Sequence, residues 1–281
     1  MKQVMLTLAA LIGITTNAFA APDLTAYHLT FEEEFDKEPN LSILSPGYGW
    51  GPISPGVKWI EHTPWSGDFG SAYFTGPHES SGDGTNVVPP DPFSLYPHLV
   101  ITAYYDTNIN HWRSGIIASC DAHGNGFYQS LGYWETKLWL PSGKGVWPAF
   151  FLGDRNGLLT KPRTTNAAEI DIMEMYGVDM TKLNQRAHVW SPSGQDVGTP
   201  GAGTTVTIPD PTTGWHVFGC LIDPQLTHFY FDGVETFRTP TQAAFMDPLF
   251  VMVDLALGGG WPIELPGPVN LGVAYIRCYS R

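Results

Sequence analysis

The run Glu169-Ile170-Asp171-Ile172-Met173-Glu174 places three carboxylates within six residues and separates them only by apolar side chains. Along a β-strand, side chains alternate between faces with period two. Glu169 and Asp171 therefore share one face, and Ile170 and Ile172 take the other. Glu174 falls five positions after Glu169, out of phase with that alternation. One extra residue at Met173 or its neighbour, a β-bulge, returns Glu174 to the acidic face and Met175 to the apolar one. The predicted element is a bulged strand with its acids in a row.

Like charges at this range cannot all ionise freely, so at least one pKa must rise. A chain tuned only for stability would break up such a row. Glycoside hydrolysis uses one: a carboxylate as nucleophile and a carboxylic acid as proton donor, roughly 5–5.5 Å apart in retaining enzymes. Residues on one face of a bulged strand reach that spacing. Asp171, between the glutamates, is placed to hydrogen-bond Glu169 and tune its charge. Two other readings stand beside this one. A solvated edge strand tolerates scattered acids, and a calcium ion takes carboxylate oxygens. The run lacks Asx-Gly loop chemistry and reads as strand interior.

Ten tryptophans and twelve tyrosines accompany a charged content of only 15%. Aromatic rings offer flat apolar faces to sugars, and they also fill the cores of large sandwiches. Over residues 132–140, alternation assigns Trp134, Thr136, Leu138 and Leu140 to the core face and Tyr133, Glu135, Lys137 and Trp139 to the other. Trp147 follows the Gly143-Lys144-Gly145 turn and opens an apolar run, which makes it a cleft candidate. His188 and Trp190 alternate about Val189 shortly after the acidic run, and neighbours in sequence are often neighbours in space. His188 is read either as a contact to substrate or a catalytic acid, or as a structural histidine. Trp261 follows Gly258-Gly259-Gly260, a loop whose backbone can approach a ligand closely.

The elements that must position these residues are short strands. The 31 glycines and 24 prolines punctuate the whole chain, with apolar-aromatic runs between them. Thr241 to Asp247 holds one short helical turn at most. Residues 1–20 read as a signal peptide, with Lys2, an apolar stretch from Val4 to Ile14 and a cleavage site after Ala20. That stretch is too short to span a bilayer. The expectation is one domain over 21–281, secreted or periplasmic, with no membrane anchor and monomeric. A net charge of −13 argues against nucleic acid as a partner. Cys120, Cys220 and Cys278 are an odd set, so at least one thiol stays free, and Cys220 and Cys278 fall in apolar runs that suit buried thiols. No cysteine stands in metal-ligand spacing with histidine, so no zinc site is expected.

With these motifs in order, the chain resembles glycoside hydrolase family 16, the laminarinase-like β-glycanases. The resemblance runs through Phe31-Glu32-Glu33-Glu34-Phe35, Trp112-Arg113-Ser114-Gly115-Ile116, Gly132-Tyr133-Trp134-Glu135 and Gly145-Val146-Trp147-Pro148-Ala149-Phe150. It continues through the acidic run, His188, Gly214-Trp215-His216 to Phe231-Asp232-Gly233, and Leu255-Ala256-Leu257-Gly258-Gly259. It implies an all-β jelly-roll sandwich of two curved antiparallel sheets with an open cleft. It implies retaining, endo-acting cleavage of a β-1,3- or β-1,4-linked polysaccharide, with Glu169 as nucleophile, Asp171 as supporting acid and Glu174 as general acid/base. Trp147, His188, Trp190, Trp112, Arg113 and Trp261 are the candidate substrate-binding residues. No cofactor or metal is required for that chemistry. A structural calcium found in many members is in doubt here, because Ala274 stands where its aspartate would be, although Glu34 keeps the other side. The Trp112-Arg113-Ser114-Gly115 block is closer to members that depolymerise bacterial exopolysaccharides. A non-catalytic sugar-binding jelly roll is a second reading, against which the intact glutamates argue, and a transglycosylase is a third.

Overall fold

The computed structural model describes residues 21–36, 53, 56–65, 67–76, 90–95 and 97–281. The expected signal segment 1–20 lies outside the described residues. In chain order the strands are β1 (His28–Glu33), β2 (Ala72–Phe74), β3 (Phe93–Leu95), β4 (Leu99–Asp106), β5 (His111–Ser114) and β6 (Ile116–Ala118). They continue with β7 (Gly132–Trp139), β8 (Val146–Asp154), β9 (Ala167–Met175), β10 (Lys182–Trp190) and β11 (Gly203–Thr207). The last are β12 (His216–Ile222), β13 (Leu226–Phe231), β14 (Val234–Pro240), β15 (Leu249–Leu257) and β16 (Val269–Ser280). Two sheets form: a ten-stranded one in the order β14-β13-β12-β7-β16-β4-β5-β2, with β1 on β16 and β3 on β4, and a six-stranded one in the order β11-β10-β9-β8-β15-β6. They make the jelly-roll sandwich expected from the sequence. The antiparallel expectation needs one correction, since β2 runs parallel to β5.

Alternation drives the packing. On β9 and β8, Ile170, Ile172, Phe150 and Leu152 turn into the core between the sheets, where they meet residues such as Trp134, Leu138 and Phe218. β15 is buried on both faces along its whole length. Its core-side residues Val251, Val253 and Leu255 belong to the main cluster. Its other face, with Phe250, Met252 and Ala256, joins Ile60, Phe74 and Phe151 in a second cluster on the far side of the six-stranded sheet. The chain around Trp65 and Phe69 packs on that second cluster.

A 3₁₀ turn at Ala243–Met246 sits within the segment where one helical turn was expected. A further α-helix, α1 (Arg155–Leu159), was not anticipated. Asp154 caps it, its Oδ1 accepting from the backbone N–H of Asn156 at 2.7 Å, so a short polar side chain rather than a long periodic run starts it. On β7 and one residue past it, Trp134, Thr136, Leu138 and Leu140 are buried as alternation predicts, but Tyr133 is buried too. It lies over Gly219, where a Cβ would sit 2.3 Å from its hydroxyl, so the missing side chain makes room for the ring. All three cysteines are free and buried.

Candidate active site

The bulge is present in β9. Across from it on β8, Phe151 pairs with Asp171 and Phe150 pairs with Met173, so Ile172 is the additional residue. On the β10 side, Arg186 pairs with Asp171 and Asn184 with Glu174, leaving Gln185 alone opposite Ile172 and Met173. Ile170, Ile172, Met173 and Met175 are buried, while Glu169, Asp171 and Glu174 are half-buried on the opposite face. Gln185 stabilises the irregularity. Its Nε2 donates to the Ile172 carbonyl at 3.2 Å, and its Oε1 accepts from Thr236 Oγ1 on β14 of the other sheet at 2.7 Å.

Register then builds the site as three rungs across the sheet. The first reads His188-Glu169-Gly153-Phe250, the second Arg186-Asp171-Phe151-Met252, and the third Asn184-Glu174-Ala149-Asp254. The acids line a cleft of about 510 Å³, walled by Trp147 and Tyr176 and by Trp65 and Phe69. A smaller pocket of about 260 Å³ adjoins it, sharing Trp65 and Glu169 and reaching Trp190 and Arg163.

Trp147 Nε1–H donates to Glu174 Oε1 at 2.8 Å, and the indole stacks on Tyr176 with ring centroids 5.8 Å apart. His188 lies between two aspartates, with Nε2 3.3 Å from Asp171 Oδ2 and Nδ1 2.7 Å from Asp196 Oδ2. Its ring stacks on Trp190 at 4.9 Å. Burial favours the neutral imidazole, but Asp171 and Asp196 outweigh it and lift the His188 pKa to about 9. Burial, then the neighbouring Asp171 charge, pushes Glu169 up to about 8, against the pull of His188 and a hydrogen bond from Trp190. Burial and then Asp171 also raise Glu174, opposed by Tyr176 and Trp147. One atom each of Glu169, Asp171 and His188 lie within 4.8 Å of one another, close enough for a cation. With both nitrogens against carboxylates and its pKa raised, His188 favours the imidazolium, which offers a metal no lone pair until it gives up a proton.

The structure thus brings Glu169, Asp171, Glu174, Trp147 and His188 together around one cleft, with Trp190 at its edge. Trp112 and Arg113 are not brought there. Arg113 is buried and bound to Asp106, its Nε 2.7 Å from Oδ2, and Trp112 packs against the main core and Tyr105. Trp261 is exposed on a loop whose Gly259 abuts Trp147 and Tyr176, beside the lining residues but not among them. Sequence reasoning missed Tyr176, Arg186, Asp254, Trp65 and Phe69. Period two would have found Tyr176 from Glu174 and Arg186 from His188. Asp254 inside an apolar run was a second usable signal, whereas nothing local marked Trp65 or Phe69.

The sequence profile of Glycosyl hydrolases family 16 matches residues 102–264, which include all three acids. The chain is a member of glycosyl hydrolases family 16. Two relatives carry β-glycanase names. The chain is 29% identical over 275 residues to "Endo-1,3-1,4-beta-glycanase EglC" of Rhizobium meliloti, covering 92% of this chain and 53% of the relative. It is 30% identical over 157 residues to "Endo-1,3-1,4-beta-glycanase ExsH" of the same organism, covering 55% of this chain and 31% of the relative. The chain therefore spans about half of one relative and about a third of the other. The fold is matched by the structure of a mutant of SCLam, described as a non-specific endo-beta-1,3(4)-glucanase from family GH16, at TM-score 0.68 and 20% identity over 94% of this chain and 98% of that one. The laminarinase catalytic domain of Thermotoga maritima matches at TM-score 0.65 and 22% identity over 91% and 98%.

Proposed function

We propose that the protein is an endo-acting β-glycanase that cleaves a β-1,3- or β-1,4-linked polysaccharide by double displacement. Glu169 attacks the anomeric carbon while Glu174 protonates the departing oxygen, and Glu174 then takes the proton from the water that releases the sugar. The observation that carries this reading is the bulge at Ile172-Met173, which turns Glu174 onto the face of Glu169 and Asp171 inside a cleft. Membership of the family and the two glycanase relatives support it.

The two roles need a single proton shared by the pair. Both glutamates hold protons more tightly than in water, so the pair carries a proton near neutral pH. In the free cleft Glu169 is the more strongly raised of the two, and the working form requires that proton on Glu174, with Glu169 ionised. The imidazolium of His188 offsets the Asp171 charge next to Glu169 and so favours that form. The chemistry asks for no metal or cofactor.

The calcium expected in some family members does not fit the residues present. Glu34 Oε1 accepts from Arg277 Nε at 2.7 Å, and Arg277 Nη2 lies 2.6 Å from the same oxygen, so a guanidinium holds the carboxylate that would bind the ion. Ala274 supplies no side-chain ligand. Export after cleavage near Ala20 and action as a monomer complete the proposal.

Product analysis on laminarin, mixed-linkage glucan and bacterial exopolysaccharides tests this function. New reducing ends and a ladder of oligosaccharides are expected, with loss of both in Glu169→Ala and Glu174→Gln. Binding without cleavage would favour the sugar-binding reading, and products longer than the donor would favour transglycosylation.

A further inference from the structure

Asp254 is an aspartate in the middle of an apolar strand, and it is 0% exposed. It nevertheless lines the catalytic cleft. On its rung it is separated from Glu174 only by Ala149, whose side chain is a single methyl group, and all three line the cleft. Its Oδ1 accepts from the backbone N–H of Ala256 at 2.7 Å. Its Oδ2 has no hydrogen-bond partner among the described residues. A buried polar atom left without a partner is strongly disfavoured, so its persistence on a cleft floor points to a partner that arrives from the cleft.

Resting on the reading of the cleft as a glycan site, we propose that Asp254 is a substrate-binding residue that works as a neutral acid, donating from its Oδ2 hydroxyl to a hydroxyl of the sugar bound beside Glu174. Among the described residues no cation stands against it. The charged groups that face it are Glu174 and Asp171 on β9, while its neighbours Ala149 on β8 and Ile116 on β6 do not titrate. Burial, then the charges of Glu174 and Asp171, hold its pKa well above the usual carboxylate range. A second negative charge would also repel the electrons of the sugar oxygens, whereas an O–H donor satisfies one of them. No proton is transferred in this role: Glu174 remains the acid and base, and Asp254 orients the sugar against it.

The test uses the full chain. Asp254→Leu should reduce kcat/KM by about 3- to 30-fold, the range for one lost hydrogen bond, with most of the change in KM if the contact is already made in the ground state. Asp254→Asn keeps the Oδ1 acceptor and replaces the hydroxyl with an amide donor, and should recover most of that loss. Should Asp254→Leu fail to fold, infrared difference spectroscopy on the Glu174→Gln protein decides instead. Oligosaccharide binding should shift a protonated-carboxyl stretch that is absent when Asp254→Asn is added. Full kcat/KM in Asp254→Leu, no recovery in Asp254→Asn, or an ionised Asp254 would overturn the proposal. A wild-type protein that cleaves no glycan would instead overturn the functional reading on which it rests.

Discussion

Gln185 donates its side-chain amide to the carbonyl of Ile172 at 3.2 Å, the residue that the bulge inserts into β9. A bulge leaves a residue outside the ladder, and its backbone groups need partners from elsewhere. Gln185 supplies one from the facing strand and is itself anchored by Thr236 on the opposite sheet. A polar bridge across an apolar core thus fixes the kink that aims Glu174.

Gln185→Leu should therefore cost about 1–3 kcal/mol of stability, because it leaves a buried carbonyl without its partner. It should also lower kcat by about 10- to 100-fold, since a small misplacement of Glu174 is amplified in the rate. Urea unfolding and steady-state kinetics measure the two effects. Stability lost with kcat unchanged would mean that the bulge holds Glu174 without this bridge.

Trp147→Phe keeps the ring but removes the N–H that Glu174 accepts. The ionised form of Glu174 loses a stabilising bond, so its pKa should rise further and the basic limb of the pH–rate profile should move to higher pH. The accompanying fall in kcat/KM should be about tenfold, as for a hydrogen bond to a charged group. A basic limb that stays in place would separate Trp147 from the acid.

Asp171→Asn removes the charge that, after burial, raises both Glu169 and Glu174. Each glutamate should then ionise more easily, and both limbs of the kcat/KM profile should shift to lower pH. The rate itself should fall, because His188, still held by Asp196, loses the second carboxylate that positions it beside Glu169. Limbs that move apart, or upward, would contradict the electrostatic account.

His188 has a folded-state pKa of about 9 against an ordinary value of 6.5. A raised pKa means that the folded protein binds the proton more tightly, so the stabilisation is complete below about pH 6.5 and is lost as pH climbs through about 9. The difference in Tm between wild type and His188→Gln should accordingly be larger at about pH 6 than at about pH 10. An equal difference at both would show that stacking on Trp190, rather than the ion pairs with Asp171 and Asp196, accounts for the contribution of His188.

Much of this was written along the chain. The phase break between Asp171 and Glu174 is local, because side-chain alternation follows from backbone geometry and needs no knowledge of the rest of the fold. The same holds for the core face of β7 and for the glycine and proline spacing that announces many short strands. The family resemblance rested on such blocks in sequence order. Tertiary structure alone decided what meets what. Asp254 is 80 positions from Glu174 and reaches its rung only because β15 and β9 both pair with β8. Trp65 and Phe69 join the cleft through a segment whose local pattern carries no periodic signal. Trp112 and Arg113 share the aromatic-basic chemistry of a sugar site, yet β5 belongs to the other sheet, where Asp106 and the core take them. Residue type and spacing fix which face a side chain points to. Strand order and register across the sheet fix which other side chains share that face, and those depend on contacts far apart in the chain.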